Sequence, residues 1–222
     1  MIKNKMIFKA CIFDLDGVIV DTARYHFMAW KRLADQLNIK FTEKDNERLK
    51  GVSRMDSLEI ILELGNMKPD RKKKEEFAAL KNKWYVDYIS RMTPNEILPG
   101  SLEFIQEIRE AGIKTAIGSA SKNTPLILGR VGIEKLFDAV ADGNVVHKAK
   151  PDPEVFLVAA RMLELEPIHC IVCEDAIAGV QAALNAGMTC VGIGSSSVLA
   201  KANLVVAGLY EMSLNRLLKI KI

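Results

Sequence analysis

Five short stretches hold the residues able to do chemistry. The first, Cys11-Ile12-Phe13-Asp14-Leu15-Asp16-Gly17-Val18, is an apolar run ending in two carboxylates one residue apart, then a glycine. Two acids at the end of a buried strand are costly as plain structure. Like charges repel, and a carboxylate taken out of water needs a proton, a cation or hydrogen-bond donors. The pair suits a divalent cation bound through oxygen, or a nucleophilic carboxylate beside a general acid/base. A solvated acidic turn is the bland alternative. Ile171-Val172-Cys173-Glu174-Asp175 repeats the pattern, a strand-like run closing on paired acids ahead of a helix start. Ile117-Gly118-Ser119-Ala120-Ser121-Lys122-Asn123 offers a hydroxyl and backbone N–H groups able to hold a phosphoryl oxygen. In Lys148-Ala149-Lys150-Pro151 the proline fixes Lys150 at a helix entrance, where it can neutralise a phosphate, while Lys148 reads as solvated. Finally, Lys50-Gly51-Val52-Ser53-Arg54-Met55-Asp56-Ser57-Leu58 places an arginine after a Gly/Ser turn, where it can grip a second phosphate bidentately.

These residues need a scaffold that brings strand ends together. Candidate strands are Ala10–Phe13, Lys114–Gly118, Ala139–Ala141, Cys170–Cys173, Thr189–Ile193 and Leu204–Val206. Helical patterns lie between them near Leu102–Glu110, Pro125–Val131, Pro153–Leu163 and Ala176–Ala186, with Gly112, Gly132 and Gly187 as C-terminal glycines. Such alternation predicts a doubly wound parallel α/β sheet of Rossmann-like kind, with ligands at the carboxyl ends of the strands. Residues 22–93 break the rhythm. Trp30/Leu33/Leu37, Leu58/Ile61/Leu62 and Phe77/Leu80/Trp84/Tyr88 mark three helical faces, and Thr93-Pro94 with Pro99-Gly100 turns the chain out of them. The expected organisation is an α/β core of residues 1–20 and 95–222 carrying a helical cap domain of residues 21–94.

Composition sets the limits. The 222 residues are 49% hydrophobic and 27% charged, ordinary for a globular chain with a sizeable core. A formal charge of +3 is too small to imply nucleic-acid binding, and the run Arg71–Lys74 is followed at once by Glu75-Glu76, as on a solvated helix face. Four cysteines make no disulfide framework, and His169-Cys170-x-x-Cys173 lacks the second ligand pair of a zinc site. No secretory signal is visible, and the uncharged stretch Ala176–Ala200 is too rich in glycine and polar residues to span a membrane. A cytoplasmic protein without nucleic-acid or membrane partners, and a monomer, is the expectation.

The run DLDGVIVDT, with the three later motifs in order, resembles the haloacid dehalogenase-like phosphotransferases. GVSRMDSL, SASKN, Lys150-Pro151, Glu174-Asp175 and the neighbourhood of Tyr85-Val86 extend the resemblance to the β-phosphoglucomutase family. Met55 departs from the acid often seen at its position. The resemblance implies that Asp14 attacks phosphorus and that Asp16 protonates the leaving sugar oxygen, then deprotonates the next hydroxyl. It implies Mg²⁺ held by the Asp14 carboxylate, the Asp16 carbonyl and Asp175, with Glu174 helping directly or through water. Ser119, Lys150 and the Ala120 N–H would hold the transferring group. The turn Gly51-Val52-Ser53 would bind substrate. Arg54, with Lys122 and Asn123, would bind the distal phosphate, and Ser121 would touch the sugar. Thr22, His26 and Trp30, spaced by four, would share one face over the site, with Lys81 as a pocket lysine. Packing alone remains an alternative for His26 and Trp30, and solvent exposure for Lys81. The implied substrates are sugar phosphates, with β-glucose 1,6-bisphosphate as intermediate and activator. The alternatives are a sugar-phosphate phosphatase on the same scaffold and a non-catalytic sugar-phosphate-binding protein.

Overall fold

The computed structural model describes residues 8–49 and 52–220. Its frame is a six-stranded, all-parallel sheet: β1 (Ala10–Phe13), β2 (Lys114–Gly118), β3 (Ala139–Ala141), β4 (Cys170–Glu174), β5 (Thr189–Ile193) and β6 (Leu204–Val206), in the order β3-β2-β1-β4-β5-β6. The strands match the sequence reading, with β4 one residue longer. Every residue of β1, β4 and β5 is buried, as in a parallel sheet covered on both faces. Cys11 and Phe13 point to one core and Ala10 and Ile12 to the other. Helices α5 (Ser101–Glu110) and α6 (Thr124–Val131) cover the first face, and α7 (Glu154–Met162) and α8 (Ile177–Asn185) the second. A short α9 (Leu214–Leu218) joins the first. Gly112, Gly132 and Gly187 each follow a helix at positive φ, where a Cβ would be strained. Among the described residues no helix is long and apolar enough to cross a membrane.

Between β1 and β2 the chain forms α1 (Ala23–Gln36), α2 (Glu43–Asn46), α3 (Arg54–Leu64) and α4 (Arg71–Ile89). These helices bury a core of their own around Trp30, Leu33, Phe41, Leu58, Ile61 and Ala78. The two strands of chain leading in and out run side by side. Val20 bridges Ile97, Leu98 N donates to Ile19 O (2.9 Å), and Asp21 N to Glu96 O (2.8 Å).

The buried face of α4 differs from the expected one. Phe77, Leu80, Trp84 and Tyr88 are half-buried, whereas Ala78, Lys81, Tyr85 and Ile89 are enclosed. The larger aromatics lie on a flank covered by cationic side chains, with Arg32 4.3 Å over Trp84 and Lys73 5.2 Å over Phe77. The polar pair Lys81 and Tyr85 is thereby turned inward.

On the second face Phe156 is fully buried and fills the space left by Gly118, where a Cβ would come within 2.8 Å of its ring. Phe156→Ala is expected to cost about 3–5 kcal/mol through the cavity it leaves. Urea unfolding should show a lower midpoint at an unchanged slope.

Candidate active site

The parallel register sets Phe13 level with both Ile117 and Cys173, so β1, β2 and β4 end together. The sheet order reverses between β1 and β4, which opens a crevice at their carboxyl ends. Asp14 and Glu174 are the residues delivered there, side by side and buried, with Asp14 N donating to Cys173 O at 2.9 Å. Lys150 lies between them. Its Nζ donates to Asp14 Oδ1 at 2.6 Å and also to Glu174 Oε1, and rests 4.9 Å over the Phe156 ring. Glu174 Oε2 accepts from Ala176 N (2.9 Å). Burial and the Asp14 charge push the Glu174 carboxyl up to about 7 against the pull of Lys150. Burial opposes the Lys150 ammonium, but the two carboxylates outweigh it and raise its pKa above the ordinary value.

Two glycines make room for these acids. A Cβ at Gly179 would lie 1.9 Å from Glu174 Cδ, and one at Gly17, already at φ +87°, would lie 2.4 Å from Asp175 Oδ2. The acidic side chains lining the cleft here, Asp14, Glu174 and Asp175, offer oxygen donors. That donor set fits a hard cation. Among the described residues no three His, Cys, Asp or Glu side chains are gathered into a ready cage. A site of few carboxylates, with carbonyl and water completing it, is the kind Mg²⁺ uses.

Asp16 has a different environment. Thr22, the residue before α1, does not cap that helix; its Oγ1 donates to Asp16 Oδ1 instead. His26 Nε2 lies 3.9 Å from the same oxygen. His26 Nδ1 faces Lys81 Nζ at 3.0 Å, and its ring lies 4.0 Å from that of Tyr85. Burial, Lys81 and Arg54 hold the imidazole well below its usual pKa, so it is neutral. A Lys81 ammonium donating to Nδ1 would leave the ring proton on Nε2, the nitrogen nearer Asp16. Burial and the Asp14 charge raise the Asp16 carboxyl to about 6, with the Thr22 hydrogen bond opposing.

Lys81 is 2% exposed rather than solvated, with Nζ 4.6 Å from both the Trp30 and Tyr85 rings. Burial and the nearby Arg54 charge bring its pKa down to about 7. Trp30 packs in the helical core and also lines the crevice.

Arg54 opens α3 and lines the same cleft, half-buried. Burial lowers its pKa from the ordinary arginine value. Ser53 caps the helix: its Oγ accepts from Asp56 N (3.2 Å) and donates to Asp56 Oδ2 (2.6 Å). The Ser53 hydroxyl thus fixes where Arg54 starts. Val52 lines the cleft, and Gly51 lies outside the described residues.

The turn after β2 closes the far side. Ser119 Oγ accepts from Ser121 N (3.1 Å), Ser121 Oγ from Asn123 N (3.2 Å), and Ala120 lines the cleft. Lys122 is exposed at the rim. The cleft holds about 620 Å³.

Several contributing residues carry no motif. Asn82 accepts from Asn123 Nδ2 at 3.2 Å. Asn144 Nδ2 donates to Lys122 O (3.1 Å) and Gly143 N to Ser121 O (3.3 Å), so the turn after β3 supports the turn after β2. A faint signal for that support was the Asp142-Gly143-Asn144 run following a strand.

Comparison with known proteins agrees with this geometry. The haloacid dehalogenase-like hydrolase family matches residues 8–187. The β-phosphoglucomutase of Bacillus subtilis is 44% identical over 94% of this chain and 93% of its own. A phosphorylated carbohydrates phosphatase of Thermotoga maritima is 32% identical over 81% of this chain and 82% of its own. The crystal structure of the β-phosphoglucomutase of Clostridium difficile superposes with a TM-score of 0.91 at 44% identity, covering 95% of each chain. By sequence, by fold and by the acids at its strand ends, the chain belongs to the haloacid dehalogenase-like hydrolases and, within them, to the β-phosphoglucomutase family.

Proposed function

We propose that this protein is a β-phosphoglucomutase, interconverting β-D-glucose 1-phosphate and glucose 6-phosphate through an aspartyl phosphate on Asp14 and through β-glucose 1,6-bisphosphate. The observation that carries the reading is the meeting in one cleft of a carboxylate pair from the sheet with Arg54 from the helical segment. A monoester phosphatase needs the acids. A bisphosphate that must bind either way round needs a second cation as well.

In the forward direction the phosphorylated Asp14 gives its phosphoryl group to the 6-hydroxyl of glucose 1-phosphate. The oxygen–phosphorus bond forms as the aspartyl bond breaks, and the hydroxyl proton passes to Asp16. The bisphosphate then turns over in the cleft. Asp14 attacks the 1-phosphate, and Asp16 returns the proton to the departing sugar oxygen. The Thr22 and His26 contacts hold Asp16 for both jobs. Lys150 and Ser119, with the Ala120 N–H, receive the equatorial oxygens of the group in flight. Asp14, the Asp16 carbonyl and Asp175, with Glu174 directly or through water, would hold Mg²⁺, which would supply further neutralisation of those oxygens. Arg54, Lys122 and Asn123 take the distal phosphate, and Trp30, Lys81 and Ser121 line the sugar. The paired linkers at Val20–Thr22 and Thr93–Pro99 are the hinges on which the helices close and exclude water.

The deciding assay supplies β-glucose 1-phosphate, Mg²⁺ and a trace of the bisphosphate. Glucose 6-phosphate is the expected product, with loss of turnover on chelation and recovery on adding Mg²⁺. Inorganic phosphate without glucose 6-phosphate would establish the phosphatase reading instead.

Two substitutions test the roles. Asp14→Asn removes the nucleophile and is expected to lower kcat by at least about 10³-fold; substantial remaining turnover means another residue attacks. Arg54→Ala removes two charge-assisted hydrogen bonds and is expected to lower mutase kcat/KM by about 10²–10⁴-fold. Hydrolysis of a small aryl phosphate, which has no second anion, should change little. An equal fall in both would make Arg54 a folding residue.

A further inference from the structure

Asn123 stands at the position before α6 where an asparagine side chain ordinarily caps the helix, yet it makes no capping bond. Its backbone N–H goes to Ser121 Oγ, and its side chain crosses the cleft to Asn82 on α4. The partners are 41 residues apart in the chain, one in the helical segment and one on the sheet side. The contact joins α4 to the turn before α6 and is separate from the linker pairing of Val20 with Ile97, so a movement that parts α4 from that turn breaks it. An asparagine amide carries two N–H donors. With one given to Asn82, the other is left for an anion in the cleft.

We propose that Asn82 is a positioning residue that clasps the helical segment onto the Ser119–Asn123 turn and orients the Asn123 amide with a donor facing the cleft. The consequence for the reaction rests on the mutase reading; the clasp itself does not. One side-chain hydrogen bond shifts a closed-to-open ratio by about two- to tenfold. Losing it lets water reach the aspartyl phosphate more often and leaves the distal phosphate a poorly oriented donor.

The test is a double-substitution cycle on the full chain: Asn82→Ala, Asn123→Ala and the pair. Alanine is a strong helix former, so α4 is retained, and an unchanged unfolding midpoint verifies it. Small-angle scattering of the substrate-free enzyme reports closure. The share of β-glucose 1,6-bisphosphate ending as inorganic phosphate reports water access. Asn82→Ala is expected to increase the radius of gyration and raise that share by about two- to tenfold, with the pair no worse than Asn123→Ala alone. Asn82→Asp keeps an acceptor for Asn123 and should restore the compact form, while its charge raises KM for the bisphosphate. The proposal is overturned if Asn82→Ala leaves both measurements unchanged, or if the two alanine effects multiply independently. If wild type yields phosphate and no glucose 6-phosphate, the mutase reading fails, while the scattering cycle still decides the clasp.

Discussion

One ammonium between two carboxylates organises this protein. Parallel pairing sets Asp14 and Glu174 next to each other where the sheet order turns, and both are buried. Lys150 offsets the repulsion from a loop that the Phe156 side chain supports from below. Removing one partner of such a buried set costs about 3–5 kcal/mol, because the remaining charge is left uncompensated. An apolar trio of the same volume would serve stability as well or better. What the ionic arrangement provides is direction: one Asp14 oxygen is fixed, and a positive charge waits where phosphoryl oxygens would arrive.

The neighbouring acid is managed by a different rule. Asp16 has a hydroxyl and a neutral imidazole instead of an ammonium, so its charge is steadied without being locked. Behind it, Lys81 and Arg54 oppose each other's charge in a partly desolvated wall, and Lys81 falls to about 7. Like charges held together without an anion favour anything that places a negative group between them. A phosphate lying against that wall would relieve their mutual repulsion.

Most of this was legible in the sequence because it follows from short-range rules. The strands are apolar runs bounded by glycine and proline, and the acids follow them directly, so the sheet and Asp14, Glu174 and Lys150 could be read from pattern. The face of α4 could not. Periodicity ranks Phe77 and Trp84 above Lys81, but cations from Arg32 and Lys73 cover those rings, and Lys81 is enclosed by two aromatics from different helices. Ser53 has a second, local role that its spacing to Asp56 also encodes, that of a helix cap, and the hydroxyl is engaged there. Asn82 had no local signal at all, since its partner is brought to it only by the fold.

The sheet acids do not select the acceptor. In the proposed cycle an aspartyl phosphate on Asp14 reacts with whatever nucleophile Asp16 can deprotonate, and water is always nearest. Transfer to a sugar wins only if the hydroxyl is held in line more often than water is admitted, an advantage that for well-oriented groups reaches effective concentrations of about 10⁵–10⁸ M. Orientation of that quality needs a second fixed point on the sugar, which the sheet cannot supply because its strand ends converge on one phosphate. In that cycle the second point would come from α3 through Arg54, which lines the same cleft as Asp14. On that reading acceptor choice would be a property of the helical segment and its contacts across the cleft, while the acids at the strand ends would only make the phosphoryl group available.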